Sequence, residues 1–271
     1  MSAGDVGAGG VSAGDRGAGD VSPAGPRTAG REGRTAAVVP AAGRGERLGP
    51  GTPKALRPLG GVPMLVHAVR LLAAARSVDL IVVAAPRDDV EAVAVLLADH
   101  GVGAGSATHV EVVPGGDDRQ SSVGRALLAL PADVDVVLVH DAARPLAPVE
   151  LVDQVAAAVR DGAPAVVPGL AVTDTIKEVD GAGRVVATPV RAALRAVQTP
   201  QGFRRAVLQA AHAATTADAV ADTDDAGLVE RNGGTVLVIA GHADAFKVTR
   251  PLDLVLAEAV LARRRAAGVV G

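Results

Sequence analysis

Beginning at Thr35, short apolar runs take turns with longer stretches in which apolar residues return roughly every three or four positions, the periods of strands and of amphipathic helices. Strands are predicted at Ala36 to Val39, Asp79 to Ala85, His109 to Val113, Val134 to Val139, Ala165 to Pro168 and Thr235 to Ala240. Helices are predicted at Pro63 to Arg76, Asp88 to His100, Gln120 to Leu130, Pro148 to Asp161, Arg204 to Thr215 and Pro251 to Arg265. Runs that are apolar almost throughout, such as "DVVLVH" over residues 135–140, belong to strands buried on both faces, as in a parallel sheet covered by helices. The expected fold is α/β: a doubly wound, mostly parallel, Rossmann-like sheet.

Two segments depart from this rhythm. Residues 172–191, "VTDTIKEVDGAGRVVATPVR", hold two β-prone runs around Asp180-Gly181-Ala182-Gly183, a hairpin turn signal, and predict a β-hairpin arm inserted in the domain. Residues 1–34 are almost wholly Gly, Ala, Ser, Asp, Pro and Arg, with Ala-Gly-Asp recurring at Ala3, Ala13 and Ala18. So little apolar surface cannot offset the entropy of ordering, and a disordered low-complexity tail is expected, followed by one domain over residues 35–271. The tail has no continuous apolar core of a secretory signal, and no later run reaches the roughly 18 residues of a membrane span.

Composition narrows the function. With 27 Lys and Arg against 30 Asp and Glu, the net charge is −3, and no basic footprint for nucleic acid exists. The chain has no cysteine, which removes disulfides, thiolate metal sites and thiol nucleophiles and fits a reducing cytoplasm. Phe203 and Phe246 are the only aromatic residues among Phe, Trp and Tyr, so a bound base must be held mainly by polar groups.

Ligands of doubly wound sheets bind beyond the carboxyl ends of the strands. The first such end carries "PAAGRGERLGPGTPK", residues 40–54. It is neither a P-loop, since no glycine precedes Lys-Ser or Lys-Thr, nor a dinucleotide fingerprint, since Leu48 stands where the third glycine belongs. Its small residues let backbone N–H groups approach a phosphate, with Arg47 and Lys54 adding charge. Two more polar strand ends follow: "VVPGGDDRQSSV", with Asp117 and Ser122, and "VLVHDAARP", with His140, Asp141 and Arg144. Taken singly, Asp141 could be a helix cap.

The motifs "PAAGRGERLG", "GGDDRQSSV", "VHDAARP", "DTIK", "TPQGF", "TDDA" and "ADAFKVTRPLD", in this order, resemble those of 2-C-methyl-D-erythritol 4-phosphate cytidylyltransferases, nucleotidyltransferases of the non-mevalonate isoprenoid pathway. The resemblance covers residues 36–262. Departures are Glu46, where a basic residue is frequent, and Gly227, where Ser follows "TDDA" in the family. The resemblance implies transfer of CMP from CTP to the phosphate of 2-C-methyl-D-erythritol 4-phosphate with release of pyrophosphate and with Mg2+ as cofactor. It implies that Arg47 and Lys54 stabilise charge on the α-phosphate and leaving group, and that Arg191 and Lys247 hold the incoming phosphate. Cytosine would be read by Ala41, Ala42, Gly43, Gly116, Asp117 and Ser122, with Pro40 and Ala142 closing the pocket. Asp141, Arg144, Thr175 and Thr199 would meet the acceptor, and Asp141, helped by Asp244, would bind the metal. It further implies a homodimer in which the arms exchange, each site borrowing Thr175 and Arg191 from the partner subunit.

Other polar clusters have plainer readings. His67, His100, His109, His212 and His242 show no ligand spacing and read as packing or surface residues. The acids Asp222, Asp224 and Asp225 read as the cap of a helix leading to Glu230, and Arg263, Arg264 and Arg265 as complements to a helix C-terminus. Two functional alternatives remain at this stage: a cytidylyltransferase for another polyol phosphate such as ribitol 5-phosphate, and a nucleotide-binding regulator without chemistry. The intact set Arg47, Lys54, Asp141 and Lys247 weighs against the regulator.

Overall fold

Val38 of the first strand lies beside Val82 on one side and Val139 on the other, both in parallel register. A computed structural model gives the fold around it and describes Met1 and residues 33–43, 53–102, 108–214 and 224–268. The tail predicted over residues 1–34 lies almost wholly outside the described residues, as do Arg47 and Asp222. Gly33–Gly271 forms one compact unit.

The chain runs β1 (Arg34–Pro40), β2 (Pro58–Leu59), β3 (Val62–Pro63), α1 (Met64–Ala74), β4 (Leu80–Ala85), α2 (Val90–Asp99), β5 (His109–Pro114), α3 (Arg119–Ala129), β6 (Val134–Val139), α4 (Val149–Arg160) and β7 (Ala165–Ala171). It continues through β8 (Glu178–Val179), β9 (Val185–Ala187), β10 (Arg195–Val197), β11 (Gln201–Arg204), α5 (Arg205–Ala213), α6 (Asp225–Arg231), β12 (Leu237–Ala240) and α7 (Pro251–Ala266). The main sheet has the order β10-β7-β11-β6-β1-β4-β5, and β12 also pairs with β7. The pairs β1–β4, β1–β6, β4–β5 and β7–β12 are parallel. Strand β11 runs antiparallel to both β6 and β7, and β10 antiparallel to β7.

Alternate residues of the central strands face opposite layers, as the pleat requires. Ala37, Val39, Ile81, Val83 and Leu138 pack with α1, α2 and α4, whereas Ala36, Val38, Val82, Val137 and Val139 pack with α3, α5 and α6. The doubly wound sheet expected from continuous apolar runs is therefore present, with its helices on both faces.

Strands β10 and β11 lie outside the predicted elements, β11 because "QGFR" has one apolar side chain and no β-branched residue. The reason for β11 is tertiary. A Cβ on Gly202 would come within 2.5 Å of Val155 Cγ1 on α4, so only glycine lets this strand fill the gap between β6 and β7. Beside it Phe203 is fully buried. The predicted arm is a hairpin: β8 pairs antiparallel with β9, and Asp180 Oδ1 accepts from the Ala182 and Arg184 amides at 2.9 Å each.

Because β1, β4, β5, β6, β7 and β12 share one direction, the loops after them emerge at one edge. Strand β11, running the other way, brings the residues before it, Gln198 and Thr199, to that edge. The site is assembled there.

Candidate active site

A cavity of about 240 Å³ at this edge is lined by Pro40, Ala41, Ala42 and Gly43 after β1, Lys54 and Ala55, Arg119 and Ser122 at the start of α3, Asp141 to Ala143 after β6, and Lys247 after β12. It thus gathers Lys54, Lys247, Pro40, Ala41, Ala42, Gly43, Ser122, Ala142 and Asp141 from separate motifs and loops of the sequence into one place.

Each wall has a local cause. The Ala41 amide donates to Ala84 O at 2.8 Å, prolonging the ladder past β1. Gly115 keeps the β5 end close to that loop, since a Cβ there would stand 2.6 Å from the Ala42 methyl. Helix α3 is started by Asp118, whose Oδ1 accepts from the Ser121 amide at 2.6 Å in a capping box. Ser122 Oγ accepts from the Gly116 amide at 3.0 Å and donates to Asp118 O at 2.7 Å, tying the glycine turn to the helix.

Asp141 is the electrostatic centre. Lys247 Nζ lies 2.8 Å from Oδ2, Arg119 Nε 3.3 Å from Oδ1, and Arg144 Nε 3.8 Å from Oδ2. Burial acts to raise this carboxyl, and the surrounding cations outweigh it, holding the group well below the ordinary carboxylate range. Its amide donates to Thr199 Oγ1 at 3.0 Å. That hydroxyl lies 3.2 Å from His140 Nδ1, and His140 Nε2 lies 3.2 Å from Arg144 O. A carbonyl only accepts, so Nε2 carries the proton and Nδ1 accepts from Thr199. Burial pushes His140 down to about 4. It is a neutral strut behind Asp141.

Several expected residues stand elsewhere. Arg144 is buried behind Asp141, where its Nη1 and Nη2 donate to Ala245 O at 2.7 Å and Val197 O at 3.2 Å; it clamps loops together and is not among the cavity's lining residues. Thr199 is likewise buried, with its hydroxyl committed to Asp141 and His140. Gly116 and the exposed Asp117 stand beside the cavity without lining it. Thr175 and Arg191 are exposed on the arm, Arg191 Nη1 donating to Thr173 O at 2.7 Å. Asp244, expected as a second metal ligand, lines a different cavity, where Arg263 and Arg264 neutralise it at 3.1 and 2.7 Å. Among the described residues no three His, Asp or Glu side chains group to hold a metal ion.

The residue missed in the sequence is Arg119. It lines the cavity, pairs with Asp141, and its Nη1 reaches Asp225 Oδ2 at 2.6 Å; Asp225 is fully buried and also meets His212 Nε2 at 3.0 Å. Arg119 Nη2 has no partner among the described residues. A signal existed: a cation at the first position of a helix opposes the macrodipole and calls for a reason. Of the acids read as one cap, Asp224 does cap α6, accepting from the Gly227 amide at 3.0 Å, while Asp225 holds Arg119.

Three cations around one ionised carboxylate, beside a loop of small residues, suit a polyanionic ligand. Among the described lining residues the one hydroxyl, that of Ser122, is hydrogen-bonded to backbone groups and not to a histidine that could activate it. Residues 35–263 match the family model described as IspD, 2-C-methyl-D-erythritol 4-phosphate cytidylyltransferase. The enzyme of that name from Streptomyces avermitilis is 61% identical over 238 residues, covering 86% of this chain and 93% of its own. The crystal structure of that enzyme from Thermus thermophilus is 36% identical with a TM-score of 0.66, covering 85% and 99%. The 4-diphosphocytidyl-2C-methyl-D-erythritol synthase of Anaerococcus prevotii superposes with a TM-score of 0.74 at 27% identity, covering 86% and 97%.

Proposed function

The chain belongs to the 2-C-methyl-D-erythritol 4-phosphate cytidylyltransferase family, and from that premise we propose how its residues divide the work of moving CMP from CTP to 2-C-methyl-D-erythritol 4-phosphate. An oxygen of the acceptor phosphate forms a bond to the α-phosphorus of CTP. The bond from that phosphorus to the bridging oxygen breaks, and pyrophosphate leaves with the electron pair. Because the nucleophile arrives as an oxyanion, no protein base is needed, and the barrier is the repulsion between two anions. Positioning and fixed positive charge lower it.

Lys54, with Arg47 from the loop outside the described residues, neutralises the triphosphate and the developing pyrophosphate. Lys247 meets the acceptor phosphate, handing over from Asp141, which Arg119 and Arg144 continue to balance. Cytosine lies against Pro40, Ala41, Ala42, Gly43 and Ala142, with Ser122 at its polar edge and Gly116 and Asp117 in the turn beside it. Thr199 and His140 act through Asp141, by fixing its backbone.

Mg2+ is part of this reading. Asp141, ionised and in the cavity, fits a cation held chiefly by the nucleotide's own phosphates, the usual habit of this ion. Once bound it would shield the phosphate charge. Asp244, which lines the other cavity, takes no part.

The enzyme works as a homodimer in this proposal. Ile176, Val179, Val185, Val186 and Val190 of the arm are exposed, and an isolated two-stranded hairpin is marginal in water. A second copy covering the arm accounts for that surface and carries Thr175 and Arg191 to the partner subunit's cavity. The proposed compartment is the cytoplasm, which a chain without cysteine fits.

The observation that carries the reading is the convergence of Lys54, Lys247 and Arg119 on the cavity around Asp141. Pyrophosphate release from CTP and Mg2+ tests it. Turnover with methylerythritol phosphate should exceed that with ribitol 5-phosphate, and the reverse order would overturn the choice of acceptor.

A further inference from the structure

A second cavity, of about 770 Å³, opens between α1, α7 and the backs of two loops that build the catalytic one. Its apolar wall includes Leu71, Leu146 and Leu261, and around it stand the guanidinium groups of Arg70, Arg263, Arg264 and Arg265 with two carboxylates, Asp244 and Glu150. Asp244 is already engaged by Arg263 and Arg264. Arg70 Nη2 donates to His100 O at 2.7 Å, and neither Arg70 nor Arg265 makes an ion pair among the described residues. The cavity therefore keeps an excess of positive charge. The helix dipole explains arginines in the last turn of α7. It does not explain Arg70, which reaches the same space from α1.

A volume in the range of small-molecule pockets, an apolar wall and forked cationic donors from two helices form a recognition set for a phosphate joined to an apolar body. We propose that this cavity is a second binding site, for a small phosphorylated molecule with an apolar body, and that its occupancy is felt in the catalytic cavity. The physical link is shared walls. The loop after β6 gives Asp141, Ala142 and Ala143 to the catalytic cavity and Pro145, Leu146 and Ala147 to the second. The segment after β12 gives Lys247 to the first and His242 and Asp244 to the second. A phosphate that draws Arg263 and Arg264 from Asp244 loosens the segment that carries Lys247, and differential affinity of this kind is what couples two sites.

Hexyl phosphate serves as the probe, titrated by calorimetry into the full chain saturated with CTP and Mg2+, with hexanol as the uncharged control. The expected result is one hexyl phosphate site per chain, no heat from hexanol, and binding weakened at least about tenfold in the double variant Arg70→Ala, Arg265→Ala. That variant should transfer CMP at the parent rate without probe, and the probe should raise the KM for the acceptor in the parent but not in the variant. Arg265→Glu, on an exposed position, gives the same reading if the double variant folds poorly. Unchanged affinity in these variants, binding lost only in Lys247→Ala, or a probe that binds without moving the acceptor KM overturns the proposal.

Discussion

Lys247 Nζ lies 2.8 Å from Asp141 Oδ2, joining the segment after β12 to the loop after β6 across the cavity. In the proposed reaction Lys247 exchanges this partner for the acceptor phosphate, while Asp141 retains Arg119 and Arg144. Lys247→Ala should lower kcat/KM for the acceptor by about ten- to a hundredfold, the worth of one charged hydrogen bond at about 1.5–3 kcal/mol. Steady-state pyrophosphate release at varied acceptor concentration measures it. An unchanged acceptor KM would remove Lys247 from that role.

Lys54 is assigned to charge that grows in the transition state. Lys54→Ala should therefore reduce kcat by about 10² to 10³, the usual loss for one such donor, while the melting temperature holds. Near-normal turnover would return the opening loop to a surface turn.

Arg119 serves two buried carboxylates at once. Arg119→Met leaves Asp225 and Asp141 short of a partner and should cost about 3–5 kcal/mol in urea unfolding at neutral pH. Arg119→Lys should recover little, since a single ammonium cannot span Oδ1 of Asp141 and Oδ2 of Asp225 as the guanidinium fork does. A fully stable methionine variant would show that the Asp225 cluster is dispensable.

Stability should fall in two separate steps as the solution is acidified. His140 is held neutral with its value pushed down to about 4, and burial lowers His67 as well. The unfolded chain therefore binds more protons as pH drops below about 6.5, and stability is lost down to about 4. Asp141 and Asp225 are depressed carboxyls, so their contribution is complete above about 4 and disappears only below it. Urea midpoints from pH 8 down should show the first step in the parent and a smaller one in His140→Asn. An equal step in both would clear His140.

The proposed exchange of arms predicts complementation. Arg191→Ala and Lys54→Ala chains, each weak alone, should recover activity when co-expressed, because one of the two sites in a mixed dimer keeps both cations. Light scattering should give a dimer. A fully active monomer, or mixed dimers no better than either parent, would rule out exchange of the arms.

Much of the fold was legible because it rests on local pattern. A continuously apolar strand such as Leu80–Ala85 is buried on both faces as its pattern requires, and the Asp180 turn closes a hairpin with its own side chain. The motifs at the strand ends likewise announced Lys54, Asp141, Ser122 and Lys247, and one sheet edge brings them together.

What the sequence by itself determined, then, was the doubly wound layer order and the chemical character of the loops, since hydrophobic period and turn chemistry act over a few neighbouring residues. Tertiary structure alone decided the rest. Strand β11 exists because a glycine fits where Val155 leaves no room for a Cβ. Arg119 matters because Asp225, far along the chain, is buried against it. Arg144 and Thr199 moved from the cavity to its supports, and Asp244 from a metal to two arginines. In each case the deciding term is burial of a polar or charged group beside partners distant in sequence, an energy that depends on three-dimensional distance and that no local pattern records.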